Sequence, residues 1–294
     1  MTAQSRTPRP MPTRSRSWEN SVPHIDLGRG VQARHIQIDL ERAPTFDLYA
    51  KAGNVLKTMN TNHWENVAVM SKGRIVGYVR RSKLLKADPE QPIRNVTNSL
   101  AGGAIVSGDT PIAEIMEWIA DQRILFVLEG REITGGISIW DFNKQPARAY
   151  YYLVLAGLEI ALADLIRWKY GANQSNLIAH LGSRDVEDLN LRMQRSGVGS
   201  GHDDIVSYLD FKHLLRVFAK DRALRMELGK YETNEWNSMT KPLGELRNEV
   251  MHPVTTLVGS VDDMRALTRN IENATTLVEK AILALRKKYP PRTK

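Results

Sequence analysis

ENVAVMSKGRIVGYVRRSKL, residues 65–84, is echoed by RILFVLEGREITGGISIWDF, residues 123–142. Each stretch holds a short apolar strand, a Gly-Arg turn (Gly73-Arg74, then Gly130-Arg131), a second strand through a glycine (Gly77, Gly135) and the start of a helix. Ahead of the second copy, GDTPIAEIMEWIADQ offers Thr110 as N-cap and Pro111 at the first helical position, with Ile112, Ile115, Met116 and Ile119 on one apolar face. The repeating unit is strand, helix, strand, strand, helix.

This duplication resembles the tandem cystathionine-beta-synthase (CBS) domain pair over residues 36–145. The resemblance rests on GDTP opening the helix and on GGISIWDF, which is similar to the family signature of glycine, two residues, Ser or Thr, two residues, Asp. It implies an adenine nucleotide as a regulatory ligand in a cleft between the copies, with Ser138 holding a phosphate and Asp141 the ribose hydroxyls. A hydroxyl beside helix N-terminal amides suits an anion, and a carboxylate accepts two hydrogen bonds from a diol. The first copy departs from the signature, since Arg80 and Lys83 stand where Ser138 and Asp141 stand in the second. A lysine accepts no hydrogen bond from a ribose, so one competent site is expected, with two cations that favour a multiply phosphorylated ligand. A dimerisation platform in which Ser138 merely caps the last helix is the competing account.

From Pro146 onward the strand-and-helix alternation gives way to helical periodicity. PARAYYYLVLAGLEIALADLIRWKYG puts Leu155, Leu158, Leu162 and Ile166 on one face with Glu159 inside the stripe. Residues 171–203 read as a polar connection; its Gly197, Gly199 and Gly201 follow no strand, so a mobile loop is expected there rather than a phosphate cradle. DIVSYLDFKHLLRVFAKD predicts another helix, KPLGELRNEVM a short one and Val261 to Lys288 a long one, which makes an all-helical bundle. His213 is expected to pack or face solvent.

LRNEVMHP, residues 246–253, is the anomaly in that bundle. Leu243, Leu246 and Val250 draw a buried stripe with Arg247 inside it, and a charge there needs an opposite charge or a phosphate. Glu159 is the matching anomaly on the first helix. The residue before Pro253 is pushed out of helical geometry, so the helix is expected to end near Met251 and project His252 from its rim. An arginine followed by asparagine, with a histidine a few residues on at the end of a penultimate helix, resembles the HEPN superfamily, and the likeness covers residues 147–289. It implies a metal-independent endoribonuclease acting as a homodimer, in which a ribose 2′-hydroxyl attacks the adjacent phosphate and leaves a 2′,3′-cyclic phosphate. His252 would be general acid or base, Arg247 would stabilise phosphorane charge, Asn248 would orient the phosphate or the histidine, and Glu159 would aim Arg247. An Arg247–Glu159 ion pair with a capping His252 gives the same sequence and no activity.

Composition bounds these readings. A chain of 294 residues has room for two cores, and the absence of cysteine removes disulfides and thiolate chemistry. The start is arginine-rich with no apolar core of the kind a secretory signal needs, and Tyr150–Ile166, interrupted by Glu159 and Asp164, reads as a buried helix rather than a membrane span. The net charge of +8 sits at the ends: six arginines against two acids in residues 1–35, and five cations with no acid in 286–294. Such ends hold polyanions non-specifically or simply keep the chain in solution. No spacing of histidines suggests a metal site.

The expected fold class is therefore α+β, a CBS-pair α/β module followed by an all-α HEPN bundle. The expected domains are a disordered basic tail (1–35), the CBS pair (36–145), the HEPN bundle (146–289) and a basic C-terminal tail (290–294). The expected function is a cytoplasmic, nucleotide-sensing ribonuclease with RNA as substrate, no membrane partner and no cofactor needed for catalysis. Two alternatives stand beside it: a non-catalytic scaffold that binds nucleotide or RNA, and an RNA binder held by its tails.

Overall fold

In the computed structural model, residues 30–100, 103–171, 174–195 and 204–289 are described; most of the two basic tails and the 197–201 glycine series lie outside them. The chain is mixed α+β, with two small sheets in its first half and, among the described residues, only helices and connecting turns from Gln145 onward.

The first half builds the same motif twice. Its elements are α1 (Ala33–Ile36), β1 (Ile38–Asp39), β2 (Thr45–Asp47), α2 (Ala52–Thr61), β3 (Asn66–Ser71), β4 (Arg74–Arg80), α3 (Arg81–Leu84), β5 (Asn98–Ser99), β6 (Ile105–Ser107), α4 (Ile112–Gln122), β7 (Ile124–Glu129) and β8 (Glu132–Ser138). One sheet runs β2-β3-β4-β5 and the other β1-β8-β7-β6. In each, a parallel pair leads into an antiparallel hairpin with a register shift at the matching place, Val69/Met70 and Val127/Leu128. Each sheet is completed by the strand that precedes the other copy: β5 pairs with β4, and β1 with β8. The shared glycines mark those seams. A Cβ on Gly77 would lie 2.3 Å from the Asn98 carbonyl oxygen, and one on Gly135 2.7 Å from that of Ile38.

The hairpin turns differ from the expected Gly-Arg pair. In the first, Lys72 and Gly73 both have positive φ (50° and 75°), the type I′ pattern; in the second only Gly130 (61°) does, as in type II′. Arg74 therefore opens a strand while Arg131 sits in a turn. The helix after GDTP also starts one residue later than expected, with Pro111 in extended geometry as N-cap. The copies meet through Tyr78 and Phe126, whose rings lie 6.0 Å apart among Ala68, Ala104 and Ile124. Tyr78 stands beside Ala68 in its sheet and Phe126 beside Gly136, so each bulky ring has a small neighbour across the strand.

After a 3₁₀ turn (Ile139–Asn143) come α5 (Gln145–Tyr170), α6 (Gln174–Ile178), α7 (Ser183–Arg195), α8 (Phe211–Lys220), α9 (Arg222–Leu228), α10 (Thr233–Met251) and α11 (Val261–Lys288). Three expectations are corrected. The supposed polar connection contains α6 and α7, the latter anchored by buried Leu189; α10 is far longer than the short helix read from KPLGELRNEVM; and DIVSYLDFKHLLRVFAKD splits into a 3₁₀ turn (Ile205–Tyr208) and α8. Among the described residues, α5 alone is long and apolar enough to cross a membrane, yet two thirds (67%) of its most apolar window is buried. Leu155, Leu158, Leu162 and Ile166 face the interior as expected.

The chain groups into two compact units whose division falls within α5, α10 and α11. Among the described residues, one holds 30–155 and 241–274 and the other 156–240 and 275–289. The second unit centres on Trp236, stacked on Phe218 at 5.3 Å with its indole N–H donating to the Leu215 carbonyl at 3.0 Å.

Candidate functional site

The end of β8 is where the sequence placed a nucleotide. Ser138 caps the 3₁₀ turn, and its backbone N–H (2.7 Å) and hydroxyl (2.9 Å) both donate to Asp141 Oδ2. Asp141 is 2% exposed, and its other oxygen meets Lys144 Nζ at 2.8 Å. Lys144 in turn donates to the carbonyls of Ile36 (2.7 Å) and Gln37 (2.9 Å), closing the end of α1. Ser138 and Asp141 are thus brought together, with both carboxylate oxygens engaged inside the protein.

Arg80 and Lys83 occupy the matching end of β4. Arg80 Nη2 donates to the Gln122 carbonyl and the Tyr78 hydroxyl, each at 3.2 Å, so it reaches from the first copy to the C-terminal end of α4, where a cation is favoured. Its Nε is buried without a hydrogen-bond partner. Lys83 Nζ donates to Asn98 Oδ1 at 2.6 Å. These hydrogen bonds do not join the Arg80–Lys83 pair to Ser138 or Asp141.

Arg247, Asn248 and His252 are brought to one helix end. α10 stops at Met251, as the following Pro253 dictates, and His252 lies exposed just beyond it. Leu243, Leu246 and Val250 form the buried stripe, but Arg247 is half-buried at its margin, not sunk within it, and it is engaged by another residue. Asn248 is exposed. Glu159 is half-buried on the part of α5 that belongs to the other unit, and it too has a partner.

The buried arginine of this region is Arg148, at 4% exposure, which sequence reading passed over. Its guanidinium donates to four carbonyls: Asn143 (3.1 Å), Glu249 (3.2 Å), His252 (3.3 Å) and Thr255. Three of these belong to the last turn of α10 and the segment after it, where helix carbonyls lack intrahelical partners. Asn143 adds a second clasp. Its Oδ1 accepts from the N–H groups of Leu257 (2.7 Å) and Val258 (3.0 Å), and its Nδ2 donates to the Val258 carbonyl (2.8 Å). The turn begun by Ser138 and Asp141 therefore holds the chain that carries His252.

A cavity of about 310 Å³ lies along α10 and α11, lined by Glu245, Glu249 and Asp263 beside Leu246, Leu257 and Asn270. Its acidic wall repels a phosphodiester, and neither Arg247 nor His252 lines it.

No protein-family model and no curated protein matches the sequence. Solved structures do. A conserved CBS domain protein of unknown function from Thermoplasma acidophilum is 18% identical, with a TM-score of 0.34 over 40% of this chain and 71% of that one. The CBS domain of a bacterial CNNM/CorC family Mg²⁺ transporter in complex with ATP is 15% identical, with a TM-score of 0.36 over 42% and 93%. CbpB in complex with c-di-AMP is 17% identical, with a TM-score of 0.35 over 41% and 87%. Several further structural neighbours are also described as CBS domain proteins, among them one from Bacillus anthracis at 11% identity and a TM-score of 0.35 over 39% of this chain and 91% of that one.

In the second unit, several buried polar side chains are engaged in structural contacts. Asp221 caps α9 by accepting from Ala223 and Leu224 N–H and holds Lys169 and the Tyr170 hydroxyl; burial opposes its ionisation, but these hydrogen bonds keep its carboxyl below the usual range. Arg225, 3% exposed, closes α8 as Arg148 closes α10, donating to Phe218 (2.8 Å), Ala219 and Tyr231 (3.0 Å) carbonyls. His213 is buried, and its Nδ1 accepts from Asp210 N–H at 3.1 Å. Its Nε2 lies 3.3 Å from Asp185 Oδ1, out of line for a hydrogen bond. Burial, with Lys212 nearby, lowers its pKa. Among the described residues no group of three His, Cys, Asp or Glu is placed to hold a metal ion.

Proposed function

We propose that this protein is a nucleotide-regulated endoribonuclease. In this reading the repeated first half is a CBS pair that binds an adenine nucleotide, and the helical second half is a HEPN bundle acting as a homodimer. RNA is cut by attack of the ribose 2′-hydroxyl on the adjacent phosphate: the O–P bond forms, the bond to the 5′-oxygen breaks, and a 2′,3′-cyclic phosphate remains. His252 takes the proton from the 2′-hydroxyl or returns one to the leaving 5′-oxygen. Arg247 offsets the charge that builds on the phosphorane oxygens, Asn248 orients the phosphate, and Glu159 aims Arg247. Ser138 meets a nucleotide phosphate, Asp141 its ribose, and Arg80 and Lys83 further phosphates.

The observation that carries the reading is the double clasp of Asn143 and Arg148 on the segment after α10. It ties the turn capped by Ser138 and Asp141 to the helix end bearing Arg247 and His252 within one compact unit. A ligand at the first place thereby has a physical route to the second.

The test is cleavage of RNA by the purified full-length chain with and without adenine nucleotides, reading the new ends for cyclic phosphate. His252→Ala is expected to lower the cleavage rate by about 10²–10⁴-fold, the usual range for a lost acid–base group. Equal cleavage by His252→Ala refutes the assigned chemistry. A second reading, a scaffold that binds nucleotide or RNA without cutting, is favoured by one observation. Arg247 is half-buried and already engaged by another residue, as a purely structural arginine would be. That reading predicts bound nucleotide and no new RNA ends at any ligand concentration.

A further inference from the structure

We infer that Arg148 is a positioning residue for His252, acting through the backbone that carries the imidazole; this rests on the ribonuclease reading above. The argument starts from what fixes His252. It is exposed and stands outside the helix, so neither packing nor the α10 hydrogen-bond ladder holds it. Its own backbone is held instead. The His252 N–H donates to Glu249 O at 3.1 Å, and its carbonyl accepts from Thr255 N–H at 3.0 Å and Arg148 Nη1 at 3.3 Å.

Arg148 grips the segment at three points, Glu249, His252 and Thr255, bracketing the histidine on both sides. A guanidinium does this where a lysine cannot, because its donors lie in a rigid plane and reach several carbonyls at once. At 4% exposure, the group is shielded from the water that would otherwise compete for those carbonyls. An exposed general acid–base group needs such restraint, since a misplacement of about 1 Å can cost on the order of 100-fold in rate. Arg225 supplies the built-in comparison. It is buried to the same degree and likewise donates to the last carbonyls of a helix, α8, but its other contacts, Tyr231 and Thr233, lie at the start of α10, the opposite end of that helix from Arg247 and His252.

The experiment compares Arg148→Lys with Arg225→Lys in the full chain, each also combined with His252→Ala. Arg148→Lys is expected to remain folded by circular dichroism, to lower kcat on RNA at least about 10-fold with KM within about twofold, and to add no further loss in the His252→Ala background. Arg225→Lys is expected to lower thermal stability while leaving kcat unchanged. Equal kcat in Arg148→Lys and wild type, or losses that multiply with His252→Ala, overturn the inference.

If the wild-type chain cuts no RNA, the ribonuclease reading fails, and the positioning inference is read separately from the His252 ring resonances. A displaced His252 signal in Arg148→Lys, with the exposed His63 signal unmoved, supports it. A His252 signal that Arg148→Lys leaves in place overturns it.

Discussion

Replacing Asp141 by alanine separates a structural carboxylate from a ligand-binding one. The side chain accepts two hydrogen bonds from Ser138 and pairs with Lys144, all within 2.9 Å, while 2% exposed. Hydrogen bonds to a charged group contribute about 1.5–3 kcal/mol, and losing an N-terminal cap costs about 1 kcal/mol. Breaking a buried ion pair costs about 3–5 kcal/mol, but Lys144 keeps 37% of its side chain in water and regains solvation, which discounts that figure. The cap and the Ser138 hydrogen bonds are the same contacts and count once, and with two such bonds near the lower end of that range the cost of Asp141→Ala is about 3 kcal/mol. In a chain of this size that lowers Tm by about 5 °C. Asp141→Asn keeps an acceptor for Ser138 and loses only the Lys144 pair, so about half that drop is expected. Thermal unfolding followed by circular dichroism measures both, and calorimetric titration with ATP reads the ligand. If the ribose also needs the carboxylate, Asp141→Asn weakens ATP binding well beyond its small loss of stability. A Tm for Asp141→Ala within about 1 °C of wild type would show that these contacts do not hold the turn, and the clasp argument built on it would fall.

Phe126→Ala removes a ring that is 1% exposed at the seam between the two copies and is expected to cost about 3–5 kcal/mol, read as a lower urea midpoint. The buried His213 makes stability depend on pH with a fixed sign. Its folded pKa lies below the ordinary 6.5, so its contribution is complete above pH 6.5 and is lost as pH falls through the folded value. The groups facing it are Asp210, Asp185, Asp188, Lys212 and Arg192. His213→Gln is expected to flatten the fall in urea midpoint between neutral and mildly acidic pH; an unchanged slope refutes the assignment.

The double motif of the first half was legible because a short apolar strand, a turn and a second strand with a glycine at the seam repeat at matching positions. Gly77 and Gly135 stood out, and the structure gives the reason, since an edge strand crosses where their Cβ would be. The turns were not legible, because a positive φ can be placed on either central residue without changing hairpin register, and adjacent Gly-Arg pairs disguise that choice. Helices α5 and α11 followed from long apolar stripes, whereas α7 hides among charged residues and buries little beyond Leu189. Arg247 and His252 were found by local spacing. Arg148 was missed because its contacts lie about a hundred positions away and go to backbone carbonyls, which carry no sequence signature. A signal existed nonetheless: an arginine inside PARAYYYLVLAG is as anomalous on an apolar helix as Arg247 is on its own.

The engagement of Asp141 sets both the sign and the size of any coupling between the two ends of the clasp. A diol that donates hydrogen bonds to Asp141 must displace Ser138 or Lys144. Displacing Lys144 also frees the carbonyls of Ile36 and Gln37. A ligand of that kind loosens the turn, and with it the Asn143 and Arg148 contacts that hold the residues around His252. An anion that meets Ser138 through its hydroxyl and leaves Asp141 in place tightens the same turn instead. A ligand shifts a conformational equilibrium only by its difference in affinity for the two states. The most the turn can transmit is therefore the free energy of the contacts exchanged, about 3 kcal/mol by the reckoning above. That sits at the upper end of ordinary allosteric coupling, about 150-fold in an equilibrium constant. If the first half binds a nucleotide as proposed, that ligand would tune the helix end over two orders of magnitude, and the direction would depend on whether its ribose or its phosphate makes the closer contact.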